Sequence, residues 1–295
     1  MRTLKRIAVV LLALSALLLV DRRFRAHPRY TAEWLAAGDV RLRAVRAGAG
    51  DTTIVFIHGY SESLLSFRGP FDRLARRFKV VAFDVPGFGL SDKPAGPYTL
   101  AIQTARLADF LDRWTTGPLI LAGQSMGGEL AMSLALRRPD RVVGLVLVSP
   151  AGYGLSSRLD SMAPGTIGLI GWAGAAATTG ILPVHDAQWL EEAPERADYL
   201  PATDPAYRKA LESILTTFDF AGLRDSISHL TQPTLLIWGR LDPTIPFAIG
   251  EEIAARLPCR QFAPLDATLH RPQQTDPDTV SALMLAFFQD PRCEQ

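Results

Sequence analysis

The chain has 295 residues, 48% of them hydrophobic and 21% charged, an ordinary globular composition with enough apolar material for a large core. Its 31 basic and 30 acidic side chains leave a net charge of +1, and no dense basic patch with interleaved aromatics occurs, which argues against a nucleic-acid binder. No His-Glu helical pair, cysteine cluster or G-x-x-x-x-G-K phosphate loop is present, so neither a metal nor another cofactor is expected.

In chain order, residues 1–30 come first and differ from everything after them. Arg2, Lys5 and Arg6 precede fourteen uncharged residues, Ile7 to Val20, and Asp21, Arg22, Arg23 and Arg25 follow. This pattern is a targeting or anchoring segment, outside the fold. The charged, bulky residues after Val20 lack a small-residue cleavage pattern, so an uncleaved membrane anchor is expected, with a cleaved secretory signal or a buried or surface helix of a cytoplasmic protein as the alternatives. A helix of this length reaches about 21 Å against a bilayer core of roughly 30 Å, and basic residues at both ends leave the orientation open. The expected location is membrane-held, with the remaining domain exported.

After a polar connector, "GDVRLRAVRAG" alternates like a half-exposed edge strand, and "TTIVFIHGY" reads as a buried strand. "FDRLARR" is helical, "FKVVAFDVPGFG" is a strand running into a Gly-Pro loop, and "LAIQTARLADFLDRW" is an amphipathic helix. "PLILAG" is a buried strand, "MGGELAMSLALRRPD" a helix stopped by Pro139, and "RVVGLVLVSP" another strand. Residues 151–230 then break the alternation, with helical stretches and no convincing strand. They include the uncharged, glycine-spaced run from Thr166 to Leu182, expected as a buried helix or loop, or as an apolar lid. "QPTLLIWGRLDPTIP" resumes the strands, "FAIGEEIAARLP" is helical, "RQFAP" is a short strand, and "DTVSALMLAFFQD" closes the chain with a helix. The fold class is therefore α/β: a mostly parallel sheet covered on both faces, built from residues 31–150 and 231–295, with an inserted helical cap at 151–230.

In "GQSMGG" one serine, Ser125, stands between glycines at a strand-to-helix junction, where a tight turn exposes the side chain. "HGYSES", "DVPGFGLSDKP", "GQSMGG", "WGRLDPTIP" and "LHRPQQTDPD" follow one another in that order. With this set the chain resembles the α/β-hydrolase fold family over roughly residues 39 to 290. An acyl-transfer site needs a nucleophile, a base, a group that orients the base, and donors for the developing oxyanion. Ser125 takes the first role by position. His270, after the last short strand, is the candidate base among five histidines. Asp242 is the candidate orienting group, with Asp266 as its rival and a loop-capping aspartate as the bland reading. The resemblance assigns the oxyanion donors to the backbone N–H groups of Tyr60 and Met126. His27, His58, His185 and His229 read as structural.

Three positions depart from the family's habits. Leu269 replaces the glycine that often precedes the histidine. Gln124 stands where esterases commonly have histidine and ring-cleavage carbon–carbon hydrolases commonly have asparagine, and Arg271 stands where the latter tend to carry an aromatic. Ser125 argues against haloalkane dehalogenases and epoxide hydrolases, which use aspartate there. The expected function is a serine hydrolase acting on a small-molecule carboxylic ester with an apolar acyl group, through an acyl-enzyme. A carbon–carbon bond hydrolase, a cofactor-free perhydrolase and a membrane-tethered binding protein without turnover remain open. Cys259 precedes the last short strand and Cys293 follows the last helix, so a disulfide between them and a pair of unrelated thiols are both open.

Overall fold

The five residues of β4 (Thr53–Ile57) are all buried, as a strand covered on both faces requires. β4 is central to an eight-stranded sheet in the computed structural model, which describes residues 30–154, 190–191 and 204–293. The other strands of that sheet are β2 (Glu33–Ala37), β3 (Val40–Ala47), β5 (Lys79–Phe83), β6 (Leu119–Gln124), β7 (Val142–Val148), β9 (Thr234–Gly239) and β10 (Arg260–Leu265). Their order is β10-β9-β7-β6-β4-β5-β3-β2, parallel from β10 to β5 and antiparallel through β3 and β2.

Strand side chains alternate between two cores. Val55, Ile57, Val81, Phe83, Leu145, Leu147, Leu236 and Trp238 face one; Ile54, Phe56, Val80, Ala82, Val146, Val148, Leu235 and Ile237 face the other. The first face is covered by α2 (Leu100–Trp114), α3 (Met126–Arg137) and α5 (Phe247–Arg256), and α4 (Pro205–Thr217) packs against the same core beside the Tyr60 and Tyr98 segments. The second is covered by α1 (Arg68–Leu74) and α7 (Pro277–Gln289), with the short α6 (Pro272–Thr275) just before α7. Phe71 of α1 is fully buried against Phe56 and Tyr30, and truncating it to alanine would cost about 3–5 kcal/mol.

Two features differ from the sequence reading and a third adds to it. β3 is an interior strand, because the stretch read as connector forms β2 and takes the edge. Gly38, with φ of +62°, closes the two-residue Gly38–Asp39 turn that pairs β2 with β3. The inserted segment contributes a strand after all: β8 (Leu190–Glu191) pairs in parallel with β1 (Tyr30–Thr31). Tyr207, Ala210, Leu211 and Ile214 of α4, within the stretch read as cap, pack against the main core. The expected anchor stretch Ile7–Val20 and the glycine-spaced run 166–182 lie outside the described residues. Among the described residues no helix is long and apolar enough to cross a membrane.

Cys259 and Cys293 form a disulfide, with Cα atoms 4.7 Å apart. α7 runs back along β10, so the two ends meet, and Gln261 Nε2 holds the tail by donating to Asp290 O and Arg292 O, each at 2.8 Å.

Candidate active site

The turn between β6 and α3 is compressed by its glycines. A Cβ on Gly123 would lie 2.2 Å from Gly127 O, and one on Gly127 2.1 Å from Ile57 O, so neither position admits a side chain. Between them Ser125 has φ of +52° and ψ of −121°, a strained conformation for any residue but glycine. The surrounding structure holds it there: Ser125 N–H donates to Val148 O at 3.1 Å, and Ser125 O accepts from the N–H groups of Gly128, Glu129 and Ala151. Ser125 is 8% exposed, and Met126 opens α3, where a backbone N–H has no acceptor within the helix.

The loop after β9 carries Asp242. Its Oδ1 accepts from the N–H groups of Thr244 at 2.8 Å and Ile245 at 3.0 Å, while Oδ2 lies 2.7 Å from His270 Nδ1. One oxygen thus caps its own loop while the other contacts the histidine ring. The Asp242 side chain is fully buried and that of His270 is 14% exposed, so the two meet largely out of bulk water. Asp266 is exposed and accepts instead from Arg240 Nε at 2.8 Å.

Gln124 joins the two halves of the site. Its Nε2 donates to the His270 carbonyl at 3.0 Å, which draws the histidine loop to the residue immediately before Ser125. Leu241 N–H donates to Thr268 O at 3.1 Å, tying the Asp242 loop to the same segment.

Tyr60 follows His58-Gly59 after β4. Its ring packs edge-on against Phe88, and its phenol donates to Leu211 O of α4 at 3.4 Å, with burial raising its pKa. His58 is buried, its Nδ1 lies 2.8 Å from Gly59 O, and its Nε2 accepts from Val85 N–H at 2.9 Å. Nδ1 therefore carries the proton, and burial lowers the pKa, so the ring is a neutral structural bridge between β4 and β5. His229 is exposed in a short turn, while His27 and His185 lie outside the described residues.

Two buried acids near the site were not singled out by sequence reasoning. Asp84, the first residue of "DVPGFG", receives the N–H groups of Leu64 and Leu90 at 2.8 Å each and Arg43 Nε at 2.7 Å. It fastens the Tyr60 loop to the β5 loop, and an aspartate directly after a buried strand was the available signal. Glu62 pairs with Arg271 Nε at 2.7 Å. No local pattern reveals that contact, because the partners are far apart in sequence. Among the described residues no group of three His, Cys, Asp or Glu side chains is placed to hold a metal ion.

The sequence profile of the family described as "alpha/beta hydrolase fold" matches residues 52–270. The chain belongs to that family. A protein named "Uncharacterized hydrolase YugF", from Bacillus subtilis (strain 168), is 27% identical over 248 residues, covering 81% of this chain and 90% of its own. The "2-hydroxy-6-oxo-6-(2'-aminophenyl)hexa-2,4-dienoic acid hydrolase" of Metapseudomonas resinovorans is 28% identical over 238 residues, 75% of this chain and 78% of its own. Among solved structures, a bacterial membrane phospholipase A described as a novel virulence factor superposes with a TM-score of 0.73 over 99% of each chain, at 21% identity. This α/β-hydrolase thus has relatives with hydrolase names, and its eight-stranded, mostly parallel sheet is the family's fold.

Proposed function

We propose that this α/β-hydrolase cleaves a small carboxylic ester through an acyl-enzyme on Ser125. The observation that carries the reading is the His270–Asp242 contact of 2.7 Å, held by Gln124 beside a serine in a strained turn. His270 Nε2 takes the Ser125 proton as Oγ attacks the ester carbonyl. Asp242 Oδ2 accepts a hydrogen bond from Nδ1–H, which keeps Nε2 available as the base and stabilises the imidazolium that forms. The N–H groups of Tyr60 and Met126 bind the oxyanion, a contribution worth roughly 100- to 1,000-fold per donor in other hydrolases. The imidazolium then protonates the departing alkoxide, and a water activated by the same ring releases the acid.

An apolar acyl or alcohol group suits the rim. Leu241 and Leu269, the residues immediately before Asp242 and His270, are 58% and 53% exposed. The run Ile7–Val20 supports a membrane-held enzyme, and the Cys259–Cys293 bridge supports an oxidising compartment for the domain. The test is turnover of p-nitrophenyl esters of increasing acyl length by the full chain and by Ser125→Ala. Turnover in the wild type that is lost in the variant, with unchanged circular dichroism, is the expected result. Undiminished turnover by Ser125→Ala would sink the assignment.

A further inference from the structure

Glu62 takes no part in the proposed reaction, yet its side chain is only 4% exposed. Its Oε1 receives Arg271 Nε at 2.7 Å, and its Oε2 receives the hydroxyl of Ser66. Ser66 Oγ in turn accepts from Gln273 Nε2 at 2.9 Å and from Gln274 Nε2 at 3.0 Å. A hydroxyl has one proton and two lone pairs, so Ser66 is saturated and its proton must point at Glu62. The result is a closed network between residues 62–66, just past Tyr60, and residues 271–274, just past His270. Removing one partner would leave a charge uncompensated in a poorly solvated place.

The network lies where geometry matters most for the reaction. The His270 ring is fixed by Asp242 and its carbonyl by Gln124, but both contacts act on the side of the loop toward β6 and β9. The Glu62 network holds the next residue to the loop that carries Tyr60, whose path is set by a Glu62 N–H to Gly59 O bond of 3.3 Å. We infer that Glu62 and Arg271 are a positioning pair: they fix the imidazole of His270 against the Tyr60 loop, and their opposite charges cancel beside the base. This rests on the roles of Ser125 and His270 given above.

The pair has one geometric and one electrostatic consequence. Loosening either partner lowers kcat by about 10- to 100-fold with KM little changed, since the misplaced base is felt in the transition state. Glu62→Gln leaves the Arg271 cation uncompensated and disfavours the imidazolium, so the acid limb of the kcat/KM profile moves to lower pH. Arg271→Gln leaves the Glu62 anion and moves the limb to higher pH. Each shift is about half a pH unit for charges separated by a residue's width in a mixed dielectric. The double variant returns the limb to its wild-type position while kcat stays low. Arg271→Lys keeps the limb and recovers only part of kcat, because it restores the charge without the planar Nε–H donor.

The experiment is the pH dependence of kcat and kcat/KM on a short-chain p-nitrophenyl ester, with the full chain in detergent, for wild type and these four variants. Opposed limb shifts in the single variants and their cancellation in the double variant are expected. Wild-type profiles in both single variants, or shifts of the same sign, would overturn the pair while leaving the serine reading intact. If Glu62→Gln does not fold, Arg271→Gln and Arg271→Lys, at a partly exposed position, decide the matter by the same limb and kcat criteria. A wild type that hydrolyses no ester and leaves Ser125 unreactive would overturn both readings.

Discussion

Glu129 gives a stability prediction with a defined slope. It lies one turn past Ser125 on α3, is fully buried, and neither carboxyl oxygen has a hydrogen-bond partner among the described residues. A Cβ on Gly152 would touch its Cγ at 3.3 Å, and one on Gly222 its Oε1 at 3.4 Å. Burial pushes its pKa well above 4.5, and the negative charge of Asp219 adds to the effect; the Gly222 N–H acts the other way, but donates to Asp219 O at 3.2 Å. The folded chain therefore keeps a proton that the unfolded chain releases above about pH 4.5. Stability contributed by the neutral form is complete below that value and declines as pH rises, until the raised pKa of the folded state is reached. Within that window the wild type loses on the order of 1 kcal/mol per pH unit, and Glu129→Gln, which cannot titrate, does not share the decline. For a domain of this size the two melting temperatures separate by roughly 2–4 °C per pH unit inside the window. Thermal melts followed by circular dichroism in half-unit steps from pH 5 to 8 would measure it. Parallel curves for the two proteins, or a variant that loses ground as pH rises, would refute the protonated, buried carboxyl.

Asp242→Asn is expected to lower ester turnover by up to about 10,000-fold by favouring the wrong imidazole tautomer, while Asp266→Asn leaves it near wild type. Steady-state rates for the two variants check this, and the reverse order would transfer the orienting role. Closing the loop between Cys259 and Cys293 stabilises the fold by about 3–4 kcal/mol in the chain-entropy account, so Cys293→Ser should lower the urea midpoint. Protein recovered without reductant should show no alkylatable thiol until it is reduced, and two free thiols would contradict the bridge.

Most of the scaffold was legible because its elements obey strong local rules. Unbroken apolar runs marked β4 and β6, the 3.6 periodicity marked α2 and α3, and the glycines about Ser125 marked the turn that a side chain would block. β2 was missed because an edge strand of five residues lacks the long apolar run of an interior one, and its pairing depends on a turn glycine. The Ser125, Asp242 and His270 positions could be read from order along the chain, since each follows a strand at one edge of the sheet. Distances could not be read that way. The choice between Asp242 and Asp266 as the neighbour of His270 was settled by contact, and the Glu62–Arg271 pair and the Gln124–His270 bond arise only when loops distant in sequence meet. Nothing in the helical run that contains Glu129 marks it as buried, because burial under the residue 152 and 222 backbone is a tertiary fact.

The central claim is that Ser125 is an activated nucleophile. Its most direct test is stoichiometric labelling of the full chain with a fluorophosphonate, followed by peptide mapping in a mass spectrometer. One label per chain on the peptide containing Ser125, slowed by ester substrate and strongly reduced in His270→Ala, is the predicted result. An enzyme that turns over esters yet carries no label, or carries it on another residue, would contradict the account.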